Sequence, residues 1–385
     1  MAYRVLIAPD KFKGSLNAFE VCDAIEKGLL AASSSFEIIK LPMADGGDGL
    51  SEVIAHYTGA TIQEEKVFNP LFQPIQSSWL LSADGQTAFI EMAKASGLQL
   101  LEPSQYYPSQ TSTYGTGQLI KAAIDNRVKE IIIGIGGSAT NDGGIGMAAA
   151  LGYRFLDKDD KELNPIGDNL IHIKKIDATQ AYINKNIRFK IACDVKNTLC
   201  GPDGATRVYA LQKGAGQQEV EDLEKGMLNY MEVLKQELSI DVSGIKGGGA
   251  AGGLGAGSVA FLQAQLISGI DLVMGYSGIR EHTGYDLLIT GEGKIDEQTL
   301  QGKVVTGVAG IGKKQKIPVI ALCGTLAIER QKNDAINVTA TFSIINKPMS
   351  LADALTNAAV LLTSLSYNIG AMIIKDKLPD NGDIK

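Results

Sequence analysis

The segment 131–152, IIIGIGGSATNDGGIGMAAALG, constrains this chain more than any other stretch. Three isoleucines run into Gly134, Gly136 and Gly137. Ser138, Thr140, Asn141 and Asp142 follow, then two more glycines and an Ala/Met/Leu run. That order predicts a buried strand, a glycine-rich turn and the first turns of a helix. Backbone amides at such a turn and helix start point outward and bind anions, phosphate above all. A purely structural turn has no need of hydroxyls, an amide and a carboxylate. The segment therefore reads as part of a site for phosphate or a small acid.

Length and composition narrow the alternatives. A chain of 385 residues exceeds what one compact core usually holds, so two or three domains are expected. The net charge of -7 argues against nucleic acid as the main partner. Glycine supplies 44 residues, above the usual ~7%, and clusters in a few loops as close-approach sites do. The four cysteines show no metal spacing and no disulfide framework, which suits a reducing compartment. The N-terminus MAYRVLIAPDK has no signal-peptide layout. No apolar run approaches the ~20 residues of a membrane helix. A cytoplasmic protein with no membrane partner is expected, with self-association left open.

The chain alternates at both ends and changes character between them. Residues 5–8 read as a strand. Asn17 with Glu20 marks a helix start, and Ala18, Cys22, Ile25 and Leu29 share its apolar face. A strand at 36–41 and a helix at 49–57 follow. Strands at 67–68, 75–81 and 87–92 then come without helices between them, with Asp84-Gly85 as a hairpin turn. A strand ends at Asp194, and a helix covers 218–238. After residue 284 alternation returns, with strands at 285–290, 318–323 and 338–344 and a long last helix at 350–374. The expected fold class is α/β. Residues 1–78 and 285–385 form a parallel α/β domain made of both chain ends, and 79–284 form an inserted mixed α/β domain.

Chemistry-bearing residues gather at the strand ends. Asp10-Lys11-Phe12-Lys13-Gly14-Ser15 follows the first strand and suits phosphate or carboxylate. Asp45 and Asp48, three apart among glycines after the second strand, suit either Mg²⁺ or an Asp-Gly helix cap. Asp194 could accept a proton or bind a cation, and could equally form a turn. Lys213, in Gln212-Lys213-Gly214, is a further anion contact. Glu292, Lys294 and Asp296 follow the strand ending at Thr290. Gly247-x-Gly249-x-x-Gly252 matches a dinucleotide fingerprint without a clear preceding strand. With Gly253 it reads as a helix start meeting an anion, or as tight helix packing. GxxxxGK(S/T) and GxSxG are absent, which excludes a P-loop NTPase and disfavours an α/β-hydrolase. Recurrent lysines, glycine loops and carboxylates suit phosphoryl transfer. An NAD-dependent oxidoreductase and a non-enzymatic sensor of small acids are the alternatives.

Seven ordered motifs make the pattern specific: APDKFKGSL, ADGGDG, GIGGSATNDGGIGMAAALG, ACDVKNTLCGPDGA, QKGA, GGGAAGGLGAG and TGEGKIDEQTLQGK. With these the chain resembles the type 1 glycerate kinase family from end to end. It departs from the family in Ala210-Leu211, where Gly-Pro is usual, in Asp48 for Glu and in Lys294 for Arg. The resemblance implies phosphorylation of D-glycerate with ATP and Mg²⁺, usually at the 2-hydroxyl. It also implies a flavodoxin-like first domain and a site in an interdomain cleft. On that reading Asp194, Lys11 and Lys13 are catalytic. Ser138, Thr140, Asn141, Asp45 and Lys213 bind substrate. Gly14, Ser15, Gly249, Gly252, Gly253 and Glu292 hold the nucleotide, and Asp48 and Asp296 hold the metal.

Overall fold

Tyr3–Ile7 (β1) is a strand whose last three residues are fully buried. It sits between Phe36–Lys40 (β2) and a strand from the far end of the chain, as parallel pairing of continuous apolar strands requires. A computed structural model describes residues 2–47, 49–182, 186–297, 299, 303–329 and 336–376. It divides into Met1–Asp45 with Val273–Lys385, and Gly46–Leu272.

The second unit contains Thr61–Phe68 (β3), Pro74–Leu81 (β4), Thr87–Glu91 (β5), Glu130–Gly134 (β6), Arg154–Leu156 (β7), Lys175–Asp177 (β8), Arg188–Ala192 (β9) and Gln265–Ile267 (β10). The first unit resumes with Leu287–Ile295 (β11), Val319–Leu326 (β12) and Ala340–Ser343 (β13). The chain thus changes unit at Asp45/Gly46 and Leu272/Val273, against the expected 78/79 and 284/285. Helix Leu50–Thr58 is the reason at the first boundary. The backbone amide of its Ser51 donates to Glu91 of β5, so this helix belongs with the second sheet.

The first unit's sheet has the order β2-β1-β11-β12-β13, all parallel. Numbered within the unit this is 2-1-3-4-5, the flavodoxin-like order. Helix Ala18–Ala32 starts at Asn17 with the expected capping box. Asn17 Oδ1 accepts from the Glu20 amide at 2.9 Å, and the Asn17 amide donates to Glu20 Oε2 at 2.8 Å. The predicted face, Ala18, Cys22, Ile25 and Leu29, is buried. The expected last helix is two, Leu351–Thr356 and Ala358–Asp376, with Asn357 ending the first.

Ala358–Lys375 is long and apolar enough to cross a membrane by length and composition, with a mean hydropathy of 1.4. The expectation that no segment reaches that threshold does not hold. Burial explains part of its composition. Helix Ala18–Ala32 packs on it so closely that a Cβ on Gly28 would lie 2.4 Å from the Thr363 carbonyl oxygen.

The second unit's sheet has the order β10-β9-β6-β5-β4-β3. β3, β4 and β5 are antiparallel and the remaining neighbours are parallel. β3 starts at Thr61, well before the two residues expected of it. The turn at Asp84-Gly85 forms as predicted. Gly85 has φ +69°, and Asp84 Oδ1 accepts from the Gln86 amide at 3.0 Å.

Two glycine-to-alanine changes should separate packing from intrinsic propensity. Gly28→Ala drives a methyl into the facing helix backbone and should destabilise by about 2 kcal/mol or more. Gly310→Ala, inside helix Val304–Gln315 with open space at its Cβ, should stabilise by up to about 1 kcal/mol. Urea unfolding of both variants checks the opposite signs.

Candidate functional site

In the first unit, the carboxyl ends of β1 and β11 lie at the point where the strand order reverses. Ligands bind at such switch points in open α/β sheets. Beyond β1 the chain still follows β11: the Ala8 amide donates to Ile289 at 2.7 Å and the Asp10 amide to Gly291 at 2.8 Å. Asp10 is thereby held in the interior at 6% exposure, and Glu292 of β11 is equally buried. Burial, then the nearby Asp45 carboxylate, pushes the Asp10 carboxyl up to about 8, and Glu292 adds to this. The Lys11 charge and a 2.7 Å hydrogen bond from the Lys11 amide to Asp10 Oδ1 oppose the rise. Burial likewise lifts Glu292 to about 7, against a 2.7 Å bond from Thr299 Oγ1 and the Lys303 ammonium 4.0 Å away.

The other predicted residues of this unit have distinct surroundings. Asp296 pairs with Lys294 at 2.9 Å. Lys13 is exposed. Gly14 takes φ +80° in a tight loop, and Ser15 Oγ donates to the Phe12 carbonyl at 3.0 Å. Gly293 lets this loop approach β11, since a Cβ there would lie 2.9 Å from the Lys13 nitrogen. Asp48 lies outside the described residues. Asp10 and Thr299 are the additions. Asp10 stands one residue before the lysine that sequence reasoning chose, and its burial was the missing signal.

In the second unit, the loop after β6 carries the polar set. Asp142 is fully buried and accepts four hydrogen bonds. Thr113 supplies its amide at 2.7 Å and its hydroxyl at 2.8 Å; the Gly144 amide gives 3.1 Å and the Gly146 amide 3.2 Å. Burial still raises its pKa against these bonds. The amides at the start of helix Ile145–Ala150, expected to bind an external anion, are therefore occupied by the chain's own carboxylate. That expectation is corrected.

Lys213 is the second addition to the interior. Its ammonium donates to Ser138 Oγ and to the Thr140 carbonyl, each at 2.7 Å. Burial lowers its pKa to about 7, while Asp142 pulls the other way. Beside it, Thr140 Oγ1 and Asn141 Oδ1 are buried with no hydrogen-bond partner among the described residues. Asn141 Nδ2 does donate to Thr206 Oγ1 at 3.1 Å. The loop thus brings together Ser138, Thr140, Asn141 and Lys213; Asp45, which the sequence reading placed with them, belongs to the first unit.

Gly249, Gly252 and Gly253 have a different setting from the expected nucleotide loop. A Cβ would lie 2.1 Å from the Thr198 oxygen at Gly249, 2.0 Å from the Thr140 oxygen at Gly252 and 2.8 Å from Gly143 Cα at Gly253. The Gly252 carbonyl accepts from the Gly143 amide at 2.9 Å. These contacts explain the glycines by backbone packing alone. Asp194 follows β9, and its Oδ1 accepts from Ser268 Oγ and the Gly269 amide, both at 2.9 Å.

The comparisons agree with this architecture. The glycerate kinase family model matches residues 5–374. A glycerate kinase of Bacillus cereus (strain ATCC 10987 / NRS 248) is 42% identical, over 96% of this chain and 97% of its own. The glycerate 2-kinase of Escherichia coli (strain K12) is 40% identical, over 96% and 98%. A crystal structure from Salmonella typhimurium LT2, assigned to glycerate kinase 2, superposes with a TM-score of 0.83 at 40% identity, covering 98% of this chain and all of that one. Kinases that transfer a phosphoryl group to an alcohol are the class these matches define. The chain belongs to the glycerate kinase family.

The buried acids give a testable pH dependence. Asp10 and Glu292 keep their protons in the folded chain above the pH at which the unfolded chain loses them. Their contribution is greatest below about pH 4 and is lost as pH rises through about 7 to 8. Thermal melts of the ligand-free protein between pH 5.5 and 8.5 should show Asp10→Asn losing less stability with rising pH than the parent does. A parallel slope in both proteins would contradict the burial argument.

Proposed function

We propose that this protein phosphorylates D-glycerate with ATP, at the 2-hydroxyl, giving 2-phosphoglycerate. One observation carries the reading beyond family membership: Asp10 and Glu292 are buried side by side where the chain after β1 follows β11. Asp10, Asp45 and Glu292 act on one another at the switch point of a flavodoxin-like sheet, with Lys11 beside them.

This donor set suits Mg²⁺. Hard carboxylate oxygens are its usual protein ligands, and it keeps waters and substrate phosphates as the others. Among the described residues no group of three or more acidic, His or Cys side chains forms a ready metal cage. A cation completed by nucleotide phosphates needs none. Asp10 and Glu292 would hold it with Asp45, its charge offsetting the burial and, after it, the neighbouring carboxylates that favour the protonated forms of Asp10 and Glu292. When bound, Mg²⁺ would supply positive charge to the phosphates. Lys11 and Lys13 would add positive charge to the nucleotide phosphates, and the loop Ser138 to Asn141 would bind the acceptor.

Asp194 is the proposed acceptor of the substrate proton. Its Oδ1 is fixed by the Ser268 hydroxyl and the amide at the start of helix Gly269–Ser277. That anchoring orients the carboxylate. A loose phosphoryl-transfer transition state needs little basic help. Asp194 should therefore contribute modestly.

A coupled ADP-release assay with D-glycerate and Mg-ATP tests the activity. Turnover with a ³¹P NMR signal of 2-phosphoglycerate is the expected result, and no turnover would end the reading. A NAD-dependent absorbance change with no ADP formed would instead support an oxidoreductase. Asp194→Asn should lower kcat by roughly 10- to 100-fold, the low end of general-base effects, with KM nearly constant. An unchanged kcat would remove the base role.

A further inference from the structure

We propose that the second unit recognises the carboxylate and a hydroxyl of the acceptor substrate through Lys213, Thr140 and Asn141, and that Lys213 takes up a proton from solvent when this anion binds. The inference rests on glycerate being the acceptor.

The unfilled hydrogen-bonding capacity describes the missing partner. An ammonium has three N–H donors, and Lys213 uses two of them on Ser138 Oγ and the Thr140 carbonyl. Neither partner carries a charge. Its remaining donor calls for an anionic acceptor. Asn141 Oδ1 accepts only, and has no donor. It calls for a hydroxyl. Thr140 Oγ1, also unpartnered, can serve either group. Buried polar atoms left in this state cost free energy, and such exceptions call for an explanation. One small molecule bearing both a carboxylate and a hydroxyl satisfies all three. A simple alcohol leaves the lysine unanswered, and an acid without a hydroxyl leaves Asn141 unanswered.

Proton uptake follows from the charge balance around Lys213. Asp142 is the charge that acts on it, but that carboxylate is engaged by Thr113, Gly144 and Gly146. The ionisable groups on neighbouring elements are committed elsewhere. Arg207 pairs with Glu221 at 3.0 Å, Tyr209 Oη donates to Asn197 Oδ1 at 2.6 Å, and Glu219 accepts from the Ser109 amide at 3.2 Å. Glu224 accepts from the Gly201 amide at 2.8 Å. A buried ammonium short of counter-charge favours its neutral form, and a bound carboxylate restores the charged one. The balanced step is neutral amine plus carboxylate plus one solvent proton, giving an ammonium–carboxylate pair.

Isothermal titration of the full chain with D-glycerate, with Mg²⁺ and a non-hydrolysable ATP analogue present, reads this directly. At pH 7.5 in phosphate, HEPES and Tris, observed heat is plotted against buffer ionisation enthalpy. The slope should show net proton uptake on glycerate binding, because burial lowers the Lys213 ammonium and leaves part of it neutral before the anion arrives. Lys213→Met should bring the slope near zero and weaken binding about tenfold or more. Thr140→Val, which keeps the side chain's shape, should weaken binding by up to about tenfold and keep the slope. A zero slope in the parent, an undiminished slope in Lys213→Met, or parental affinity in Thr140→Val overturns the proposal. If Lys213→Met does not fold, the parental slope and Thr140→Val decide. Turnover is measured separately. Normal ADP release without proton uptake sinks this inference alone, whereas no glycerate binding and no turnover sinks both readings.

Discussion

A carboxylate removed from water, that of Asp142, organises the second unit. Its four hydrogen bonds tie the start of helix Ile145–Ala150 to Thr113. They satisfy amides that a helix start otherwise leaves open. They also fix the turn from which Ser138, Thr140 and Asn141 project. A second glycine-rich segment then lies on this turn at backbone contact, with Gly252 against Thr140 and Gly257 against Gly143. Side chains at those positions would separate the two segments. Glycine here serves close approach of protein to protein, and polar residues between the glycines are left to serve the ligand.

Most of the fold was legible in the sequence because it rests on local signals. The isoleucines of β6, the Asn17–Glu20 box and the Asp84-Gly85 turn each determine their own neighbourhood. Alternation of strand and helix at both chain ends was enough for one parallel α/β domain; its flavodoxin-like order came from the family resemblance. The crossing at Asp45/Gly46 was hidden for the opposite reason. Helix Leu50–Thr58 looks alike whichever sheet it joins, and its partner, Glu91, lies 40 residues away. Strand β3 was read short because seven of its eight residues are exposed or partly exposed, so its hydrophobic alternation is weak.

The site divides along the same line. Sequence spacing located the loops but not the state of their charges. Lys213 was read as an anion contact beside a glycine, and nothing in its spacing showed that it is only 3% exposed. Asp10 looked like a strand terminator and is a buried carboxyl paired against Asp45. The glycines of 247–257 looked like a phosphate loop, since close approach to backbone and close approach to phosphate demand the same residue. Sequence alone cannot tell which of the two a glycine meets. The Cβ distances can, and they show protein.

Each unit buries ionisable groups at its candidate site. In the first, Asp10, Asp45 and Glu292 accumulate negative potential near one another. In the second, Lys213 is buried with neutral hydrogen-bond partners. A fold selected for stability alone has no need to bury such groups, because desolvating an ionisable group is costly. Retaining them makes sense where a ligand supplies the opposite charge and the protein has already met the cost of orienting and desolvating its own groups. Opposite deficits also sort the ligands. A cation-bearing nucleotide complements the acids, and a small hydroxy-acid complements the lysine. Exchanging the two would place like charges together. On the proposed reading, desolvated charge would give each unit its own selectivity, and the neighbouring glycines would keep the backbone close enough to hold those groups in place.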